Sequence, residues 1–109
     1  MLFECHCEGI DFIGYSLIES RNGAYNRNIH ASNDDIEDII AGYISRDTLI
    51  AIREGLKAIL ADTLAGHYEG FLGVDQMICK TASPVFIPVS EINLRMTMGL
   101  IARNQYDHL

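Results

Sequence analysis

Two carboxylates and an amide near the end of the chain have the types and spacing to do chemistry. Asp75 sits in the run Gly70 to Lys80, and Glu91 and Asn93 sit in the run Val85 to Leu94. Both runs read as β-strands, with Thr81-Ala82-Ser83-Pro84 as the turn between them, so the pair reads as a β-hairpin. Side chains alternate along a strand, so Phe71, Gly73, Asp75 and Met77 share one face of the first strand. Val89, Glu91 and Asn93 share one face of the second, with Glu91 and Asn93 ~7 Å apart. If the strands pair antiparallel, Asp75 can lie beside them. Two carboxylates and an amide oxygen would then converge, a hard-oxygen set that suits Mg²⁺ together with water and phosphate oxygens. Arg95 follows in the same run and can bind an anion through a bidentate fork. Exposed strand acids are more often simply solvated, and spacing alone leaves both readings open. The apolar setting VFIPVSEINLRMTMG favours a compensating cation, because acids among apolar neighbours cost stability unless paired.

Three stretches must position these residues. Residues 2 to 31 read as a β meander: a strand from Leu2 to Cys7, a turn at Glu8-Gly9, a strand from Ile10 to Ser20, a turn at Arg21-Asn22-Gly23 and a strand from Ala24 to His30. The middle reads as two helices. Ser32-Asn33-Asp34-Asp35 offers capping oxygens and first-turn acids, followed by Ile36, Ile39, Ile40 and Tyr43 at helical spacing. Ser45 can cap a second helix with an apolar stripe of Leu49, Ile52, Leu56, Ile59, Leu60 and Leu64, stopped at Gly66. Arg53, Glu54, Lys57 and Asp62 decorate its other faces. The hairpin comes third. Pro88 has no N–H to donate, so it should sit at a sheet edge or a break. Gly99 to Ala102 reads as a short terminal helix or turn, and the polar tail from Asn104 as frayed. The fold class expected is α+β with a mostly antiparallel sheet.

Composition narrows the function classes. The 109 residues make one domain, residues 1–109, with almost half of them apolar. No apolar run approaches the ~20 residues of a membrane helix, and MLFECHCEG is not a signal peptide. The net charge of −7 argues against nucleic acid, which needs Lys/Arg clusters. Cys5, Cys7 and Cys79 form an odd set that favours reduced thiols and a cytoplasmic protein. Cys5-His6-Cys7 lacks the second ligand pair that zinc requires. His6, His30, His67 and His108 are scattered, with no nucleophile motif beside them. Tyr15, Tyr25, Tyr43 and Tyr68 read as packing residues. Met77, Met96 and Met98 read as gap-filling core more readily than as an adenine pocket.

The order GFLGVDQM followed by SEINLRMTMG resembles the closing half of the ATP-grasp fold. The specific signal spans residues 70 to 99, and GYSLIESRNGAYNRN is similar to that family's strand-turn-strand before the helices. The resemblance implies that Asp75, Glu91 and Asn93 hold Mg²⁺ against the phosphates of ATP. It also implies that Arg95 sits near the transferred phosphate, as in the carboxylase and carboxylate-amine ligase branches. The implied reaction phosphorylates a substrate carboxylate to an acyl-phosphate, which an amine or similar nucleophile then attacks. The other half of that fold, with its phosphate-gripping lysines and Gly-rich loop, has no counterpart here. Lys57 and Lys80 are the only lysines, and neither lies in a Gly-rich loop. The expectation is a fragment or one half of a split enzyme, inactive alone. Apolar surface meant for the missing half (Phe71, Met77, Met96, Met98, and Ile87 or Val89) should drive self-association, most simply as a twofold dimer. Two other classes stay open on the residues themselves. One is a non-catalytic α+β interaction domain. The other is a Mg²⁺-dependent phosphodiesterase-like domain, disfavoured by the few basic residues.

Overall fold

The computed structural model describes residues 1–21, 24–79, 83–95 and 97–108, and the side chains among these except for residues 19–27 and Met98. The expected turn residues Asn22-Gly23 and Thr81-Ala82, and Met96, lie outside the described residues.

The architecture is α+β, built on a four-stranded antiparallel sheet. The strands are β1 (Leu2–His6), β2 (Gly9–Gly14), β3 (Ile18–Arg21), β4 (Ala24–Asn28), β5 (Gly70–Cys79) and β6 (Val85–Asn93). The helices are α1 (Asn33–Ile40), α2 (Arg46–Leu64) and α3 (Met98–Asp107). Sheet order is β2-β1-β5-β6, and β3 and β4 form a separate two-stranded ribbon. The expected meander is thus two hairpins in two sheets.

The run from Ile10 to Ser20 breaks where its backbone leaves the ladder. Gly14 has φ +155°, and the next amide, Tyr15 N–H, donates to Asn33 Oδ1 at 2.9 Å instead of to a strand. Ile29 N–H then donates to the Leu17 carbonyl, closing the ribbon at its base.

Alternation builds the core on one sheet face. Phe3 pairs with Phe12 and Leu72, and Cys5 pairs with Ile10, so these side chains point the same way. Val74 follows Leu72 on that face. Ile36 and Ile40 of α1 and Leu49 and Leu60 of α2 close over them. Ser32 caps α1 by accepting from Asp35 N–H, and Ser45 caps α2 by accepting from Thr48 N–H. Gly66, at φ +74°, ends α2 in the left-handed conformation expected of it. Ile39 and Ile59 carry the helical spacing but stay exposed, because the stripe is wider than the surface it covers.

The other face has a different cover. α3 is a full helix of 10 residues, longer than the short terminal helix or turn expected over Gly99 to Ala102, and the expected frayed tail is helical through Asp107. Thr97 caps it by accepting from Leu100 N–H. Its start lies over Leu2 and Gly73: a Cβ on Gly73 would stand 3.3 Å from Thr97 Cγ2, and one on Gly99 would stand 3.6 Å from Leu2 Cδ2. No helix among the described residues is long and apolar enough to cross a membrane.

A buried polar network ties the break after β2 to the helices. Tyr15 O–H donates to Glu37 Oε2 at 2.9 Å, and Arg46 Nη1 donates to Glu37 Oε1 at 3.1 Å. Arg46 also pairs with Asp38. Arg53 approaches the same carboxylate at 3.9 Å while its guanidinium stacks over Phe12. Burial pushes the Tyr15 hydroxyl up to about 12, and the hydrogen bond to Glu37 and its charge push the same way. The folded state therefore holds this proton after an unfolded chain, near 10, has lost it. Its contribution to stability is complete below pH 10 and is lost as pH rises through 12. Phenolate absorbance should show one tyrosine ionising last, in a phase that Tyr15→Phe removes. Urea midpoints should fall between pH 10 and pH 12 in the parent chain more than in that variant. Equal falls in the two chains would contradict the assignment.

Candidate functional site

The three oxygen-bearing residues singled out in the hairpin do come together. In the β5–β6 register Asp75 is the direct partner of Glu91, and Gly73 is the direct partner of Asn93. Direct cross-strand partners point to the same face, so Asp75, Glu91 and Asn93 share one surface. Asn93 Nδ2 donates to Asp75 Oδ2 at 3.3 Å. Ser90 Oγ donates to the Asp75 carbonyl at 3.1 Å, tying the strand edges together beside the site.

The surroundings follow from strand length. The β1–β5 ladder ends where Val74 N–H donates to the Met1 carbonyl, and Asp75 is the first residue beyond it. From there the hairpin continues as two strands. Ile78 and Phe86 pack on the core side, while Met77 and its partner Ile87 are exposed on the carboxylate side. Val89 is exposed as well, and Phe71 is half-buried rather than exposed. Pro88 lies in the edge strand, where the register shifts between Asp75 and Met77. The missing N–H falls where the ladder is already interrupted.

Charge placement decides what this surface can hold. Asp75 and Glu91 are exposed and adjacent, so they repel each other across the strands. Asn93 supplies a donor but no charge. Arg95 is exposed in the bend between β6 and α3. Among the described residues no three His, Cys, Asp or Glu side chains form a metal cluster. The Asp75–Glu91 pair therefore needs the Asn93 amide oxygen and outside oxygens, such as water or phosphate, to complete a cation's shell. Mg²⁺ tolerates such a partial protein shell, since it keeps several waters and binds through one or two carboxylates plus phosphate. On donor chemistry the residues fit a hydrated Mg²⁺.

The remaining candidates separate in space. Cys5 is buried in the core, Cys7 is exposed past the end of β1, and Cys79 is half-buried in β5; all three are free thiols. His6 pairs with Asp11 at 2.9 Å beside an open groove of about 380 Å³ that Glu8, Glu54 and Lys57 also line. That groove is at the opposite end of β1 from Gly73 and Asp75. Sequence reading passed over Glu37 and Arg103 and took Asn33 only as part of a helix cap. Arg103 is 3% exposed, and its Nη1 donates to Asn33 Oδ1 at 3.1 Å and to the Tyr15 carbonyl at 3.4 Å. Its Nη2 lies 2.9 Å from Asp107 Oδ1, off the axis of a good hydrogen bond. The one available signal was Arg103 three positions after Leu100, on the buried stripe of a short helix.

No protein-family model, no curated protein and no solved structure matches the chain.

Proposed function

We propose that this chain is the Mg²⁺-nucleotide half of an ATP-dependent carboxylate ligase of the ATP-grasp kind, completed by a second half that carries the phosphate-gripping lysines. The observation that carries the reading is the register: Asp75 directly opposite Glu91, with Asn93 hydrogen-bonded to Asp75, on the sheet face that α1 and α2 leave uncovered. The order Asp, Glu-x-Asn, Arg along two paired strands is the pattern that the resemblance implies.

Asp75, Glu91 and Asn93 would hold Mg²⁺, which when bound would supply charge neutralisation at phosphate oxygens. The chain's own part is positional. Asp75 and Glu91 present oxygens from two hydrogen-bonded strands, so their separation is fixed by the sheet and not by flexible loops. Asn93 holds Asp75 Oδ2 and so limits its rotamers. Arg95 follows on the same strand end, within reach of an anion that the cation draws in. Free thiols at Cys5, Cys7 and Cys79 fit a cytoplasmic protein. Exposed Met77, Ile87 and Val89 flank the carboxylates and supply apolar surface for the second half, or for a second copy when that half is absent.

Mn²⁺ titration of the 109-residue chain, followed by paramagnetic broadening, tests this reading. Weak binding near ~10⁻³ M is expected, as for a site of few charged ligands. Asp75→Asn and Glu91→Gln should each weaken it by at least about tenfold. ATP turnover by the chain alone is expected to be nil, since water exclusion and phosphate positioning need the other half. Sedimentation in the same titration reads self-association, which a cation between facing acids should strengthen. Binding indifferent to both substitutions would leave an α+β interaction domain with solvated acids.

A further inference from the structure

Asn93 ends β6 and Thr97 caps α3, so the helix hangs on the strand that carries Glu91 and Asn93, with Arg95 in the link. Leu100 is fully buried and the Tyr106 ring meets His30, and beside these apolar contacts three anchors fix where the helix sits. Thr97 covers Gly73, which is both the cross-strand partner of Asn93 and two residues from Asp75. Gly99 lies so close to Ser16 that a Cβ there would stand 2.8 Å from Ser16 Cβ and Oγ. Arg103 is the third anchor, bonded to the Tyr15 carbonyl and to Asn33 Oδ1 and charge-balanced by Asp107.

The third anchor is costly for what a covering helix needs. Burying a guanidinium carries a desolvation penalty that a leucine would avoid while covering the same apolar surface. What Arg103 adds is direction, because its two acceptors come from the break after β2 and from the first turn of α1 and so specify where along the sheet α3 stops. The glycines act in the same sense, since each leaves room for one close approach and no other.

We propose that α3 is a clamp on the carboxylate face, with Arg103 as its positioning residue. By fixing Thr97 over Gly73 the helix sets the end of β6, and with it the meeting of Asn93 with Asp75 Oδ2. None of the anchors touches a ligand. The proposal rests on reading Asp75, Glu91 and Asn93 as the cation site, and it is tested separately from that reading.

The test uses the full chain with Gly99→Ala, with Ser16→Gly/Gly99→Ala and with Arg103→Lys. The side-chain NH₂ resonance of Asn93 reports its bond to Asp75 without any metal present, and Mn²⁺ alone is the binding probe. Gly99→Ala should move that resonance and weaken Mn²⁺ about tenfold, the scale of losing a residue that orients a ligand. Adding Ser16→Gly removes the atoms the new methyl meets, and should return both readouts toward the parent. Arg103→Lys keeps the charge but lacks the planar fork that meets Tyr15, Asn33 and Asp107 together, and should move the resonance without unfolding the chain. If Gly99→Ala fails to fold, the double variant and Arg103→Lys decide. A resonance unmoved by folded Gly99→Ala and Arg103→Lys would overturn the clamp, even if Mn²⁺ binds the parent chain. A resonance that moves and is restored as described, in a chain that never binds Mn²⁺, would keep the clamp and remove the cation reading.

Discussion

Phe3→Ala is expected to cost about 3–5 kcal/mol of folding stability, the range for truncating a fully buried aromatic. Phe3 is 0% exposed on a central strand, between β2 and β5. Its ring meets Phe12 edge-to-face, with centroids 5.6 Å apart, and lies in the cluster with Leu49, Leu60 and Leu72. Strands on both sides and helices above cannot all move in to fill the space left behind. A domain of this size has roughly 5–15 kcal/mol in total, so the variant should be close to unfolding at room temperature. Phe3→Leu should cost less, about 1–2 kcal/mol, because most of the volume is retained. Ile59→Ala is the control: Ile59 has the right spacing for the buried stripe of α2 but is 63% exposed, and should change stability by no more than about 0.5 kcal/mol. Urea denaturation of the three variants measures all of this. A large loss at Ile59 with a small one at Phe3 would mean that α2 packs with another face inward.

How much of this was legible in the sequence differs by element. The hairpin was legible because alternation has a period of two, and parity puts Glu91 and Asn93 on one face; that Asp75 shares this face depends on the register that pairs it with Glu91. The exact register was not, since the irregularity at Pro88 consumes residues of β6 that spacing cannot count. The starts of α1 and α2 were legible, because Ser32 and Ser45 cap locally, within three residues. The split of the run from Ile10 to Ser20 was not. Its apolar content reads as one strand, and what ends β2 is a side chain far along the chain, Asn33, which takes the Tyr15 amide. The same holds for Glu37 and Arg103. Each looks like an ordinary helix-surface residue until the fold brings Tyr15 against it. The candidate site was therefore readable where strand parity governs it. The network behind it was not, because it depends on contacts between residues distant in sequence.

Gly14→Ala tests that network where it is tightest, and is expected to cost about 2–4 kcal/mol from backbone strain and overpacking together. Gly14 has φ +155°, a conformation that an L side chain rarely adopts. A Cβ there would also stand 2.6 Å from Asn33 Nδ2 and 2.8 Å from its Cγ. The end of a flexible side chain could swing away at small cost, but this one is held. Asn33 Oδ1 accepts from Tyr15 N–H at 2.9 Å and from Arg103 Nη1 at 3.1 Å, and Nδ2 donates to the Ile13 carbonyl at 3.4 Å. Moving Asn33 would leave the Tyr15 amide without an acceptor and would take from the buried Arg103 guanidinium one of its acceptors, leaving it the Tyr15 carbonyl and Asp107. Orphaning the amide alone costs more than its bond is worth when made. The consequence is a specific non-additivity. Asn33→Ala alone loses the acceptor, and Gly14→Ala alone forces the clash. In the double variant the clash has nothing to meet, so the second substitution should cost about 1 kcal/mol less than it does in the parent chain. Thermal or urea melts of the four proteins give the coupling directly. Strictly additive costs would show that the strain at Gly14 is in its backbone alone, and that the methyl group finds room beside Asn33.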